Sequence, residues 1–264
     1  ISESGLVSAI SNAGAFGVLA GGNMPPEALE REILATRQKT DKPFGVNLIT
    51  IAPNFQRHLE QVLGLGLPFV ILAGGLPPRE ALVRVKASGS RLLCFAPTVG
   101  MARNLVREGV DGLIIEGHEA GGHVGPVSTA VLAEQILPTI HEVPVFVAGG
   151  IGSGVMMAHY LLMGAAGVQL GTRFAVAEES PAHANFKRAM IKASARAAQP
   201  TAQFDPRIPV IPVRALQNQG TRDFNTLQLG LVAQLERRQI GAREAGRQLE
   251  EFWIGALRKA VVEG

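Results

Sequence analysis

Residues 143–174 read VPVFVAGGIGSGVMMAHYLLMGAAGVQLGTRF, and they carry the clearest indication of the protein's architecture. Two short apolar runs, Val143–Val147 and Gly167–Leu170, flank an apolar segment of helical length, Val155–Met163. Continuous rather than alternating apolar runs are typical of strands that are buried on both faces of a parallel sheet. The stretch therefore predicts a strand, a helix and a second strand parallel to the first.

The same alternation of strand and helix runs through the first two thirds of the chain. Five further apolar runs predict the strands Phe16–Leu19, Phe44–Ile49, Phe69–Leu72, Leu92–Ala96 and Gly112–Ile115. The segments between them predict the helices Glu3–Asn12, Pro26–Lys39, Phe55–Leu63, Pro78–Ala87, Val99–Glu108 and Thr129–Ile140. Seven strands with short connections predict an α/β TIM (β/α)₈ barrel, and we expect its first strand to precede Ile1 because the chain begins with a helix. An open doubly wound sheet is the alternative.

From about Glu178 onward, the apolar runs typical of strands end. The remaining segments are three predicted helices, at residues 183–198, 224–239 and 242–262, and a proline-rich connection at residues 200–212. We therefore expect two parts, a barrel formed by residues 1–177 and an appended C-terminal helical region, residues 178–264, that caps the barrel and contacts the substrate.

Composition limits the classes of protein to consider. Hydrophobic residues make up 47% of the 264 residues and charged residues 18%, which excludes a disordered chain. Cys94 is the single cysteine, so no internal disulfide is possible, and its apolar neighbours predict a core residue rather than a nucleophile. A net charge of +3 with 5% aromatic residues and no dense basic run argues against nucleic-acid binding. No apolar run reaches the roughly 18 residues of a membrane span, and no signal-peptide pattern is present, so we expect a cytoplasmic location.

Glycine-rich loops follow the last two predicted strands. Residues 148–154 (AGGIGSG) lead into a helix, and residues 169–174 (QLGTRF) follow the next strand. Bare backbone at a helix N-terminus presents N–H donors and the positive end of the helix dipole to an anion. With the first strand placed before Ile1, these two strands are the seventh and eighth of the barrel. The loops after those strands form the usual phosphate site of such barrels. The pair therefore predicts phosphate binding, and a tight turn without a ligand is the alternative for either loop alone.

The segment after a third predicted strand contains side chains that could transfer protons. Residues 116–125 (EGHEAGGHVG) contain two histidines, two carboxylates and four glycines. Histidine is well suited to proton transfer near neutral pH, which favours His123 as a catalytic or substrate-contacting residue. A structural role in the loop is the alternative for His123, whereas His118 is expected at the rim. The spacing of the two histidines across a glycine turn is not a recognised metal-ligand spacing, so no metal site is predicted.

Amide and hydroxyl side chains lie at other strand ends. Asn47 carries a carboxamide that could hydrogen-bond a flat heterocycle, and Gln169 could point inward from its strand. Asn23 and Thr98 are weaker candidates, and a structural turn or core amide is the alternative for each of these residues. His58 lies on a predicted helix, and we expect it at the surface.

Taken together, these motifs resemble the flavin-dependent nitronate monooxygenase family, formerly called 2-nitropropane dioxygenases, which includes the FMN-dependent enoyl-ACP reductases. The matching stretches are residues 9–17 (AISNAGAFG), 21–25 (GGNMP), 40–47 (TDKPFGVN), 116–125 (EGHEAGGHVG), 148–151 (AGGI) and 168–174 (VQLGTRF). The resemblance covers nearly the whole chain. It implies a TIM barrel that holds FMN without a covalent bond.

The resemblance also implies roles for individual residues. The FMN phosphate would meet the glycine-rich loops, the ring system would lie near Asn23, Asn47 and Gln169, and His123 would act at the substrate carbon. The expected FMN contacts are Asn23, Asn47, Thr98, Glu116, Gly122, Ala148, Gly149, Gly150, Gln169, Gly171 and Thr172.

Two redox activities follow from this resemblance. The first is oxidation of alkyl nitronates with O₂, which residues 70–78 (VILAGGLPP) resemble more closely. The alternative is an enoyl-ACP reductase that uses NADH or NADPH, which residues 214–224 and 255–264 resemble. In that case basic helical segments would dock an acyl carrier protein; solvated surface is the alternative for them. A barrel that binds a phosphorylated ligand without redox chemistry is a third hypothesis. We expect a small-molecule substrate and a homodimer.

Overall fold

A computed structural model describes all 264 residues and divides the chain into two compact units. Unit 1 comprises Ile1–Gly117 and Val127–Pro181, and unit 2 comprises His118–Pro126 and Ala182–Gly264. The short segment His118–Pro126 therefore packs with the C-terminal part of the chain, although unit 1 precedes and follows it in sequence.

Ten strands and eleven α-helices make up the two units. In chain order the strands are β1 (Gly17–Ala20), β2 (Phe44–Ile49), β3 (Phe69–Ala73), β4 (Arg91–Phe95), β5 (Gly112–Glu116), β6 (Gly122–His123), β7 (Val145–Ala148), β8 (Gly167–Gln169), β9 (Ala198–Pro200) and β10 (Val213–Leu216). The helices are α1 (Ser4–Asn12), α2 (Pro26–Lys39), α3 (Phe55–Gly64), α4 (Arg79–Ala87), α5 (Val99–Arg107), α6 (Thr129–Ile136), α7 (Gly154–Leu162), α8 (Thr172–Ala175), α9 (Ala184–Lys192), α10 (Gln219–Glu236) and α11 (Ala242–Val262). A 3₁₀ turn, Ala195–Ala197, precedes β9.

Unit 1 is built on one sheet of seven parallel strands in the order β1-β2-β3-β4-β5-β7-β8. Each strand pairs with its neighbour in parallel register, and a helix follows each strand. The predicted α/β fold of the TIM-barrel type is confirmed, and all seven predicted strands are present with ends that differ by at most two residues. Because all seven strands run parallel, their carboxyl ends lie at the same edge of the sheet.

The two faces of this sheet bury different side chains. Successive strand residues point to opposite faces, so Leu92 and Cys94 pack in the main core while Leu93 packs in a smaller cluster with Ile71 and Ile114. Cys94 is fully buried, and its burial raises the pKa of the thiol to about 12. The prediction that Cys94 is a core residue is therefore confirmed.

Unit 2 combines helices with a small antiparallel sheet in the order β6-β10-β9. Helices α10 and α11 pack together through Phe224, Leu231, Leu249 and Trp253. The three predicted C-terminal helices are present, but α9 ends at Lys192 instead of residue 198, and α10 begins at Gln219 instead of residue 224. The small sheet was not predicted, because β9 and β10 lie in the stretch where the apolar strand pattern is absent. No helix of either unit combines the length and the apolar character that crossing a bilayer requires.

Candidate functional site

Three predicted site residues lie in one row across the carboxyl ends of β5, β7 and β8. Glu116 pairs with Ala148, and Ala148 pairs with Gln169. Residues directly opposite one another on adjacent strands point to the same face of the sheet. The structure thus brings together side chains that are separated by more than fifty positions in the sequence.

The loop after β7 depends on glycine. Gly149 and Gly150 have φ angles of +102° and +72°, in the left-handed region that other residues adopt only at a cost. The loop leads into α7, whose N-terminus is capped by the Ser153 hydroxyl accepting from the Met156 N–H at 3.3 Å. Backbone without Cβ atoms therefore precedes the positive end of a helix dipole, the arrangement that favours an anion.

Two contacts fix this loop to its neighbours. The Arg173 Nε–H donates to the Gly152 carbonyl at 2.8 Å and so joins the loop after β8 to the loop after β7. The Thr129 hydroxyl donates to the Gly149 carbonyl at 3.2 Å. A Cβ on Gly171 would meet no atom within 4 Å, so space is open beside that residue. Neither Arg173 nor Thr129 was among the residues predicted from sequence, although Arg173 lies in the glycine-containing segment 168–174.

Asn47 offers an unused hydrogen-bond acceptor. It lies on β2 between Ala20 of β1 and Ile71 of β3, and its carbonyl accepts from the Gly21 N–H at 3.0 Å. Its side-chain Oδ1 is buried and has no hydrogen-bond partner. A buried acceptor without a partner costs about 1–3 kcal/mol. A ligand that brings an N–H donor to this point removes that cost, so the site fits a flat heterocycle such as a flavin ring.

Three further predicted residues of unit 1, Asn23, Thr98 and Thr172, are exposed. Asn23 is exposed in the loop after β1. The Thr98 hydroxyl accepts from the Met101 N–H at 3.2 Å and caps α5, so this side chain has a structural partner. Thr172 is the first residue of the short helix α8, directly after Gly171.

Gly122 and His123 lie in unit 2, on β6. His123 pairs with Val213 of β10, and its Nε2 lies 3.1 Å from Oε2 of Glu250 on α11. The imidazole is 41% exposed. His118 lies within hydrogen-bond distance of the Gly125 carbonyl through Nδ1, at 2.9 Å, so it closes the loop on itself. Sequence reasoning did not identify Glu250, because it is 127 positions away from its partner.

His58 is not a surface residue, contrary to expectation. It is 1% exposed, on the buried face of α3 with Phe55, Leu59 and Val62. Burial lowers the pKa of His58, with a smaller contribution from the charge of Arg57. The spacing i, i+3, i+4, i+7 on an amphipathic helix was the signal that could have identified it as buried.

A polar cavity of about 230 Å³ lies away from the strand ends that carry the site. Its lining includes Arg91 and Asp111, at the amino ends of β4 and β5, and these two side chains form an ion pair at 2.8 Å. No group of three or more His, Cys, Asp or Glu side chains with a metal-binding arrangement is present.

Comparison with known proteins identifies the family of the chain. The nitronate monooxygenase family model matches residues 1–57 and 49–263. The chain is 36% identical over 178 residues to a Rhodococcus jostii protein named (3aS,4S,5R,7aS)-5-hydroxy-7a-methyl-1-oxo-octahydro-1H-indene-4-carboxyl-CoA dehydrogenase, covering 66% of this chain and 49% of the relative. A Mycobacterium tuberculosis protein of the same name is 36% identical over 191 residues, which are 71% of this chain and 53% of the relative. The chain thus spans about half the length of these two relatives.

A Staphylococcus aureus protein named probable nitronate monooxygenase is 28% identical over 231 residues, covering 70% of this chain and 65% of the relative. Among solved structures, FabK from Thermotoga maritima aligns with a TM-score of 0.86 and 34% identity, over 100% of this chain and 78% of that one. A nitroalkane oxidase from Streptomyces ansochromogenes aligns with a TM-score of 0.75 and 28% identity, over 84% of this chain and 75% of that one. Because the family model matches almost every residue, the chain belongs to the nitronate monooxygenase family.

Proposed function

We propose that this chain is an FMN-dependent oxidoreductase. The observation that carries the proposal is the pair of loops joined by the hydrogen bond from Arg173 to Gly152, beside the row formed by Glu116, Ala148 and Gln169. FMN, when bound, supplies the redox chemistry. The protein's own residues bind and orient the cofactor and the substrate, and they move protons.

The phosphate of FMN is assigned to the glycine loops. Backbone N–H groups near Gly149, Gly150 and Gly171 and the hydroxyl of Thr172 are suited to bind it, because small residues let a phosphate approach the backbone. Only glycine adopts the φ angles of Gly149 and Gly150 at little cost. The need for this backbone conformation supports the assignment of the phosphate to this loop.

The isoalloxazine ring is assigned to the side of β2. The buried Oδ1 of Asn47 supports this assignment, since it needs a donor that the protein does not provide. Gln169 and Asn23 remain proposed ring contacts. The other proposed FMN contacts are Thr98, Glu116, Gly122 and Ala148.

His123 is proposed as the group that carries a proton to or from the substrate. An imidazole exchanges a proton near neutral pH more readily than other side chains. Its partial exposure keeps it accessible to a small molecule. A role in proton transfer predicts that His123→Ala lowers turnover by ~10²–10⁴-fold.

Hydride exchange with an acyl thioester is the activity supported best. The two relatives at 36% identity are both named as dehydrogenases of a carboxyl-CoA compound. NADH or NADPH would serve as reductant if the reaction runs toward reduction, with CoA or an acyl carrier protein as the thioester carrier. Oxidation of nitronates with O₂ is the second candidate, supported by the family description and by the 28% identical Staphylococcus aureus protein.

Anaerobic spectroscopy of the purified protein tests the proposal. A yellow protein whose visible absorbance bleaches with NADH or NADPH and returns on addition of an enoyl thioester supports thioester chemistry. Oxygen uptake with a nitronate and no nicotinamide supports the second candidate. The matched control for His123→Ala is His141→Ala, because His141 is an exposed histidine whose Nε2 lies 3.0 Å from the Pro138 carbonyl and which has no proposed role in the site. A colourless protein that binds phosphate esters but not FMN would overturn both redox assignments.

A further inference from the structure

We propose that Glu250 is the positioning residue for His123 and decides which ring nitrogen of His123 accepts a proton. This inference rests on the proposed function, in which His123 carries a proton.

The geometry of the pair assigns the atoms. Nε2 of His123 lies 3.1 Å from Oε2 of Glu250, within hydrogen-bond distance. A carboxylate accepts hydrogen bonds and does not donate them, so Nε2 is the donor. In the neutral imidazole the lone pair is then on Nδ1. Glu250 therefore keeps the Nε2 proton in place and leaves Nδ1 as the atom that takes up and releases the transferred proton.

The backbone around His123 is fixed by other contacts. The Val124 N–H donates to the Pro212 carbonyl at 2.9 Å, next to the pairing of His123 with Val213. The guanidinium of Arg214 donates through Nε to the His118 carbonyl at 2.9 Å. Because the strand and the loop are held in this way, the main freedom left to His123 is rotation of its side chain. The hydrogen bond to Glu250 restricts that rotation.

Glu250 lies on a well-anchored part of α11. Its neighbour Leu249 is fully buried, and Trp253, one turn further on, is 9% exposed. The Trp253 ring meets Phe224 of α10 edge to face, with centroids 5.9 Å apart. The Glu250 carboxylate therefore lies on a helix that is held in place by core packing. A positioning residue needs such a rigid support.

The first test reads the tautomer of His123 without measuring activity. Protein labelled with ¹⁵N in its histidines is compared with Glu250→Ala, Glu250→Asp and the matched control Glu251→Gln, at about two pH units above the ordinary histidine pKa of ~6.5. Glu251 is the next residue on the helix and pairs with Arg247 instead. We expect the Nε2–H tautomer alone in the wild type and in Glu251→Gln, a mixture of tautomers in Glu250→Ala, and partial recovery in Glu250→Asp.

The second test measures turnover and FMN affinity in the same variants. Glu250→Ala should lower turnover about tenfold, which is less than the ~10²–10⁴-fold expected from loss of His123 itself. FMN affinity should stay within twofold, and Glu251→Gln should keep full turnover. An unchanged tautomer ratio in Glu250→Ala, or equal losses of turnover in Glu250→Ala and Glu251→Gln, overturns the role of Glu250. Failure of the proposed function is distinguishable: FMN would not bind, or His123→Ala would keep full turnover, while the NMR signature of the pair persisted.

Discussion

Replacing Asn47 with leucine should stabilise the ligand-free protein. The buried Oδ1 of Asn47 has no partner, and such an acceptor costs about 1–3 kcal/mol. Leucine has a similar shape and no polar atom, so Asn47→Leu should recover part of that cost. For a chain of this size, 1 kcal/mol corresponds to about 2–4 °C in Tm. Differential scanning calorimetry of the FMN-free protein measures the gain.

The same substitution should weaken FMN binding, because the leucine side chain cannot accept a hydrogen bond from the flavin ring. A hydrogen bond between neutral groups contributes about 0.5–1.5 kcal/mol, which corresponds to roughly a 2- to 10-fold rise in Kd. Titration of FMN fluorescence measures this change. Stability and affinity should therefore move in opposite directions in a single variant.

Asn225→Leu is the matched control. Its Oδ1 is also buried without a partner, but Asn225 lies on α10 in unit 2 and has no proposed role in FMN binding. The control should gain stability and keep its FMN affinity. The reasoning is refuted if Asn47→Leu lowers the Tm of the ligand-free protein, or if its Kd for FMN matches that of Asn225→Leu.

Three further predictions concern the loops and one buried histidine. Gly149→Ala places a side chain at a φ of +102°, so it should cost about 1–3 kcal/mol in urea unfolding and abolish FMN retention on a desalting column. Arg173→Ala removes the hydrogen bond to Gly152 and should raise the Kd for FMN about tenfold, as measured by fluorescence. Because Arg173 is exposed, the Tm of the protein should change little. An unchanged Kd would contradict a role for that contact in FMN binding. Burial lowers the pKa of His58, so the unfolded chain binds a proton more readily than the folded one as pH falls below about 6.5. Stability should therefore decline there by at most about 1.4 kcal/mol per pH unit on account of this residue, and urea unfolding at several pH values should show a flatter profile in His58→Leu.

The barrel part of the fold could be predicted from sequence because most residues of its strands are apolar and lie against one of the two cores. Runs such as Phe44–Ile49 are apolar at almost every position, and their ends were located correctly or nearly so. The end of α6 was predicted four residues too late, at Ile140 instead of Ile136. Pro138 accounts for the difference, since it lacks the N–H that would continue the helical hydrogen bonds, although Leu137 before it keeps helical dihedral angles. That signal was present in the sequence.

Contacts between distant segments could not be predicted. Strand β6 has two residues, and it pairs with β10 about ninety positions away, so neither composition nor periodicity reveals it. The contact between His123 and Glu250 has the same origin. In contrast, the row from Glu116 to Gln169 follows from strand order and register once a parallel sheet is recognised. Local patterns therefore predicted the strands that precede the two glycine-rich loops, whereas tertiary pairing determines what surrounds His123.

The burial of Cys94 makes this chain convenient for site-specific labelling. Thiol reagents act on the thiolate, and a fully buried thiol with a pKa of about 12 supplies almost none at working pH. A cysteine introduced at Leu162, which is 90% exposed, would thus be the single reactive position in an otherwise unmodified sequence. Fluorophores or spin probes attached there could report on the protein without first removing a native residue.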